Sequence, residues 1–301
     1  MKYGCNNRTS ISPNSHFKAC KISKLFNIFI MSYQKFFTIT ALIFAFALIL
    51  FAATACDPKT DLNKGTLELN FQPRVGGQSY QAGLSYQDNQ GNYYVLDKCR
   101  FFLTNVILVK KDGTEVNVSA GDIFNIDATA RIAHGDGIFA SYQVAPAEYK
   151  GVKFTVGVGK SDNYQPTSAF SNAALADASM FLSEKVGRKF IWLKGKLDTD
   201  PTTATLWTDY EYNIGADDKT TDAFLREVRM DTLAEHAFTV AGNAETQFII
   251  EFDINEMLKD IFTINSPKTT ISAPYSNDST GKAIATKILD NLQQRALYHL
   301  Q

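Results

Sequence analysis

The chain has 301 residues, of which 45% are apolar and 20% charged, and its formal net charge is −1. That length allows one large domain or two small ones with ample core. Basic and acidic residues are interspersed, so no basic stripe exists to release counterions from a nucleic-acid backbone, and nucleic acid is excluded as a partner.

Met31 to Lys35 is a short positive start, and Phe36 to Ala55 (FFTITALIFAFALILFAATA) is an apolar run that closes on small residues. This reads as a signal peptide over residues 31–55, with residues 1–30 a polar extension ahead of the expected start at Met31. Ala53-Thr54-Ala55-Cys56 resembles a bacterial lipobox, which would make Cys56 the lipidated first residue of the mature chain. A plain transmembrane anchor is the competing reading, since about twenty apolar residues span a bilayer. Either one places the remainder outside the cytoplasm, in the cell envelope, facing the periplasm or the cell exterior. Residues 56–64 then form a tether and 65–301 a single domain. Cys99 is left as the one thiol of that domain, so no internal disulfide is expected.

Thr66 to Phe71 alternates apolar and polar residues, the period of a half-buried strand, and Pro73 with Gly76-Gly77 is expected to break it. A short strand near Tyr80 to Tyr86 turns at Asp88-Asn89-Gln90-Gly91 and returns over Tyr93 to Leu96. Arg100 to Val109 is apolar on both parities, as in a strand covered on both faces. Ile107 to Lys111, Asp112-Gly113 and Thr114 to Val118 read as a hairpin. Weaker strands around Ile123 to Ile126 and Ile138 to Val144 precede Gly151 to Gly159, a central strand in which Val152, Phe154, Val156 and Val158 alternate. Tyr164 to Asp177 is a long excursion with one helical turn expected around Ala173 to Met180, a place where function often sits. Lys189 to Leu193, Leu206 to Asn213, Ala237 to Val240 and Gln247 to Phe252 are further strands, and Asp222 to Arg229 is a turn of helix or an irregular strand. Ile254 to Phe262 reads as a short helix, and Ile284, Ile288 and Leu292 mark a C-terminal amphipathic helix capped by Ser279 or Thr280. About nine to eleven mostly antiparallel strands with one or two late helices make an all-β sandwich.

Gly159-Lys160-Ser161 invites comparison with a phosphate-binding loop, but Phe154 stands where that loop needs its first glycine and no helix is expected after it. The histidines of the fold, His134, His236 and His299, show no short-range pairing, and no nucleophile has a base near it, so an enzyme is not expected. Acidic groups at Asp198 and Asp200, Asp209 and Glu211, and Asp217-Asp218 could supply oxygen to calcium, although solvated turns explain them better. Trp192, in a strongly apolar strand, reads as core. Trp207 and Tyr164 are candidates for an exposed binding surface.

Several segments together resemble the MbnP-like family. They are Val75-Gly76-Gly77, Arg100 to Leu108 followed by Asp112-Gly113, Tyr149 through Gly159 with Asn163 beyond, Phe190 to Gly195, Tyr212-Asn213-Ile214-Gly215 and Asp290-Asn291-Leu292. The family consists of extracytoplasmic β-sandwich proteins related to methanotroph copper-binding proteins, many of them lipoproteins of Bacteroidetes-type bacteria. The resemblance implies copper binding near a tryptophan-rich segment and, in some members, a di-haem peroxidase partner that oxidises a tryptophan. Two positions depart from the pattern. The family's Met-x-Trp-x-Trp-like stretch aligns with Met180-Phe181-Leu182-Ser183-Glu184, which has no tryptophan, and Asn213 stands where an aromatic-His-aliphatic-Gly strand end has its histidine. Met180, His134 and His236 are the candidate metal ligands that remain, amide oxygen being a poor ligand for copper. The expected protein is a non-enzymatic, lipid-anchored binding or accessory component, with copper handling as its specific role. The alternative is a metal-free surface module that binds glycan or protein.

Overall fold

A computed structural model describes residues 63–119, 121–129, 138–198, 206–220, 222–231, 237–262, 268–275 and 277–299, and the chain from Asn63 on forms one compact unit. The expected signal peptide, Cys56, His134 and His236 lie outside the described residues. Among the described residues no helix is long and apolar enough to cross a membrane.

Among the described residues sixteen strands run in chain order as β1 (Gly65–Val75), β2 (Gln78–Ser79), β3 (Ser85–Gln87), β4 (Tyr93–Lys110), β5 (Glu115–Asn117), β6 (Phe124–Asp127), β7 (Ile138–Val144), β8 (Ala147–Val156), β9 (Phe181–Ser183), β10 (Gly187–Asp198), β11 (Trp207–Gly215), β12 (Arg226–Asp231), β13 (Phe238–Val240), β14 (Glu245–Asp253), β15 (Thr270–Ser272) and β16 (Leu297–His299). Among the described residues four α-helices accompany them: α1 (Lys160–Asn163), α2 (Ala173–Ala176), α3 (Ile254–Met257) and α4 (Ser279–Asn291). The larger sheet has the order β12-β8-β4-β10-β11-β15, with β13 on β8, β3, β5 and β6 on β4, and β9 on β10. The smaller sheet runs β16-β14-β1-β2, with β7 also on β1.

Alternation explains which faces meet. In β1, Leu67, Leu69 and Phe71 are fully buried, as are Val152, Phe154 and Val156 of β8. Phe71 reaches across to Phe101 and Phe154 with ring centroids 5.7 and 5.9 Å away, and Phe101 meets Phe252 of β14 at 5.6 Å. These four rings fasten the smaller sheet to the larger one, in edge-on and tilted geometries that aromatic quadrupoles favour.

The tight Asp112-Gly113 turn, the helical turn α2 and the long late helix fall where the sequence places them. Other elements differ. Tyr93 to Leu96 and Arg100 to Val109 are one 18-residue strand, β4, which pairs with β10 over Tyr94 to Phe101 and with β8 over Leu103 to Lys110. The partner changes between Phe101 and Leu103, and a bulge follows within the β8 pairing, where Asn105 takes φ 58° and the register shifts between Thr104 and Ile107. A strand that switches partner this way carries apolar residues on both parities without periodicity announcing the bulge. Pro73 does not end β1, because the strand pairs on through it opposite Phe252 and the Pro73 carbonyl accepts the Tyr80 N–H at 3.1 Å. A single helical turn, α1, does follow Gly159. The cap of α4 is Asp278, whose carboxylate accepts the Gly281 N–H at 2.8 Å, one residue ahead of the expected Ser279. Two pairings, β1 with β14 and β11 with β15, are parallel.

Candidate functional site

The outer face of the larger sheet carries the chemistry. Cross-strand register lines up Asp127, Arg100, Trp192, Asn213 and Ser272 on five adjacent strands, β6, β4, β10, β11 and β15. The next row is Lys98, Lys194, Glu211 and Thr270. Residues two apart in a strand share a face, so the polar positions of Lys98 and Arg100, of Trp192 and Lys194, and of Glu211 and Asn213 all belong to one surface. Leu193, Ile191 and Phe101 on the other parity are fully buried.

Trp192 is therefore not core, contrary to the reading of its apolar strand. Its indole is half-buried on the outer face, where Nε1 donates to Glu211 Oε1 at 3.0 Å. The Lys189 ammonium lies 4.0 Å from the ring centroid and the Arg100 guanidinium 6.0 Å from it, so the ring is held by two cation–π contacts. Lys189 is 8% exposed. Burial pushes its pKa below the ordinary lysine value, with Glu211 pulling it partly back.

Gly157 to Val186 folds back over this surface, and one side chain anchors it. Arg188 at the start of β10 is 1% exposed. Its Nη1 donates to the carbonyls of Asp162, Asn163 and Gln165 at 2.6, 2.9 and 3.0 Å, and Nη2 donates to that of Leu175 at 2.9 Å. The guanidinium also stacks between Phe170 and Phe181, 4.9 and 5.0 Å from their centroids. Beside it the Arg188 N–H donates to Asn163 Oδ1 at 2.7 Å, and the Asn163 side chain packs so closely on Gly187 that a Cβ there would sit 2.5 Å from it. Gly187 also holds φ 93°, so a glycine is required on both counts.

The far end of the excursion is tied to the same row. Asp177 takes the Arg100 guanidinium through Nη2, Arg100 Nη1 donates to Ser179 Oγ at 2.7 Å, and Asp177 Oδ1 accepts the Ser179 N–H at 2.8 Å. Burial would raise the Asp177 pKa, but the hydrogen bonds from Ser179 and Arg100 outweigh it and hold the carboxyl below its ordinary value. A depressed folded pKa contributes stability that is present above the unfolded value of about 4 and is lost as pH falls through the folded one. Protection of the amides of residues 172–180, taken relative to the intrinsic exchange rate at each pH, is therefore expected to fall below about pH 4, and Asp177→Asn is expected to abolish that step. A protection factor in this segment that is independent of pH would contradict the assignment.

The candidates from the sequence scatter around this site. Met180 is wholly buried within the core cluster, where packing accounts for it. Asn213 stands opposite Trp192, with its Oδ1 buried and without a hydrogen-bond partner. Tyr164 is half-buried, its hydroxyl donating to the Asp218 carbonyl at 2.6 Å and its face carrying Lys219 Nζ at 4.9 Å. Trp207 is 39% exposed. Asp218 accepts the Thr220 N–H at 2.7 Å, the turn role expected of it, whereas Asp217 ties distant chain together by accepting the Tyr275 N–H at 2.9 Å and pairing with Lys282. Cys99 is fully buried, and burial pushes its thiol pKa well up, as suits a packed and unreactive side chain. Phe154 lies inside β8, which closes the phosphate-loop reading.

A family model for MbnP matches residues 64–273, which take in this surface and every strand but β16. The chain belongs to the MbnP family. Among solved structures it is similar to MbnP from Methylosinus trichosporium, with a TM-score of 0.53, 13% sequence identity, and coverage of 74% of this chain and 87% of that one. That likeness is one of fold, the β-sandwich. No curated protein matches.

The copper that the MbnP resemblance implies can be tested against these side chains. Among the described residues no three of His, Cys, Asp and Glu stand together as a metal set. At the histidine-equivalent position Asn213 offers an amide oxygen, a poor copper donor. Opposite it, Trp192 is already flanked by the Lys189 and Arg100 cations, whose charge opposes a metal ion. The described residues at these positions do not fit copper.

Proposed function

We propose that this MbnP-family chain is a non-catalytic accessory protein of copper handling in the cell envelope, lipid-anchored through Cys56 and acting beside a di-haem peroxidase-type partner. Membership of the family over residues 64–273 carries the reading. The outer-face groups support a role in holding rather than reacting, since Arg100, Asp177, Ser179, Trp192 and Glu211 are engaged with one another. Because Asn213 and its neighbours do not fit copper, the ligands proposed are His134 and His236. Imidazole suits copper where an amide does not.

Equilibrium dialysis of the full-length protein against Cu(I), Cu(II), Zn(II) and Ca(II), each with a competing chelator, tests this. Near-stoichiometric copper is expected to survive the competitor and to fall to background when His134 and His236 are both replaced by alanine. Background copper in the wild-type protein would retire the reading.

A further inference from the structure

Three Asn-x-Ser/Thr triplets occur in the chain, at Asn7, Asn117 and Asn277. In an exported protein such a triplet is the acceptor for asparagine-linked glycan, and the reaction needs an exposed asparagine whose amide nitrogen is free. Asn7 precedes the expected start at Met31, so Asn117 and Asn277 are the two to compare.

Asn117 is the last residue of β5, which pairs with β4 alone among the described residues, so one edge of this short strand is left open. Its side chain is exposed, whereas Ser119, two residues on, is 2% exposed. Asn117 Oδ1 accepts both the Ser119 N–H and the Ser119 Oγ–H, each at 3.0 Å. Because the oxygen is the acceptor of both, the other amide position is Nδ2, and it has no hydrogen-bond partner among the described residues. Two donors on the amide oxygen draw charge out of the amide and make the Nδ2 protons more acidic, which eases the loss of one when the nitrogen forms a new bond. Asn277 differs. Ser279, which supplies the hydroxyl of its triplet, is the first residue of α4, and no hydrogen bond joins it to Asn277. The intervening Asp278 is committed to the Gly281 N–H and to Lys268 Nζ at 2.8 and 2.9 Å.

We propose that Asn117 is a site of asparagine-linked glycosylation. Asn117 Nδ2 attacks the anomeric carbon of an oligosaccharide carried on a lipid diphosphate. The N–C bond forms as the bond from that carbon to the diphosphate oxygen breaks, the diphosphate leaves with the electron pair, and the Nδ2 proton passes to a base of the transferring enzyme. The glycan donor is a membrane lipid, so the proposal rests on the cell-envelope location proposed above. A glycan on Asn117 also covers the open edge of β5, whose unpaired backbone groups otherwise invite pairing with another chain.

Mass spectrometry of the chain as its native cells process it, after separation of envelope from cytoplasm, tests this. In the envelope fraction the peptide containing Asn117 is expected to carry a mass increment that releases sugar fragment ions, with the Asn277 peptide unmodified. Asn117→Gln, at an exposed position, is expected to remove the increment and Asn277→Gln to leave it in place. Ser119→Thr, which retains the hydroxyl, is expected to keep it, and Ser119→Ala to lose it with Asn117 still present. A bare Asn117 peptide from chain recovered in the envelope would overturn the proposal alone, whereas chain found only in the cytoplasm would overturn the location with it. An increment that survives Asn117→Gln would likewise refute the assignment.

Discussion

Arg188→Met is expected to destabilise the fold by about 3–5 kcal/mol, because it strips a buried cation from four carbonyls, leaving that of Asp162 with the Gln165 N–H at 3.3 Å. The carbonyls of Asp162, Asn163, Gln165 and Leu175 lose the hydrogen bonds it donates, and Phe170 and Phe181 lose the plane that separates them. Arg188→Lys should recover only part of this. A lysine carries a comparable stem but neither the flat fork that reaches four oxygens nor a surface that stacks on two rings. Urea denaturation gives the loss, and native-state amide exchange locates it. The account expects the excursion from Lys160 to Asp177 to lose protection first, with the sheets following at higher denaturant. A midpoint unchanged from wild type would show that the carbonyls find water and that Arg188 does not anchor the segment.

Phe101→Ala should cost a similar amount, about 3–5 kcal/mol, through a different mechanism. Phe101 is fully buried on β4 and touches Phe71 and Phe252 of the smaller sheet. Truncation leaves a void at the junction of the two layers, where neither sheet can collapse inward without breaking its own ladder. The loss should appear as one cooperative transition at a lower denaturant midpoint, because both sheets share the cluster. A variant that keeps the wild-type midpoint would mean that the layers are held elsewhere.

Much of this architecture is legible in the sequence because burial imposes a period. Val152, Phe154 and Val156 alternate in a strand with one face on the core, and Asp112-Gly113 marks its hairpin through the positive φ that Gly113 adopts. The short strands β9, β15 and β16 are not legible, since three residues carry no period and their existence depends on a partner far away in the chain. The outer-face site was harder still. Trp192 sits among Phe190, Ile191 and Leu193, and a run of apolar letters does not say that one parity looks outward. The available signal was charge: Arg188-Lys189 at the head of an apolar strand, and Arg100 inside another, are cations that an interior would not accept without partners. Those partners, backbone carbonyls and an indole face, have no sequence signature. Asn213 was found by resemblance alone, and its place opposite Trp192 emerges only from the register of β10 and β11.

At the centre stands the claim that Asn213 and the indole opposite it, braced by Lys189 and Arg100, do not hold copper. Copper titration of the full-length Trp207→Phe variant, followed through the fluorescence of Trp192, tests it most directly. With Trp207 removed, emission reports the ring opposite Asn213. The account predicts that copper is taken up with the Trp192 emission unchanged. Quenching that rises in step with bound copper would place the metal at Asn213 after all, and would contradict it.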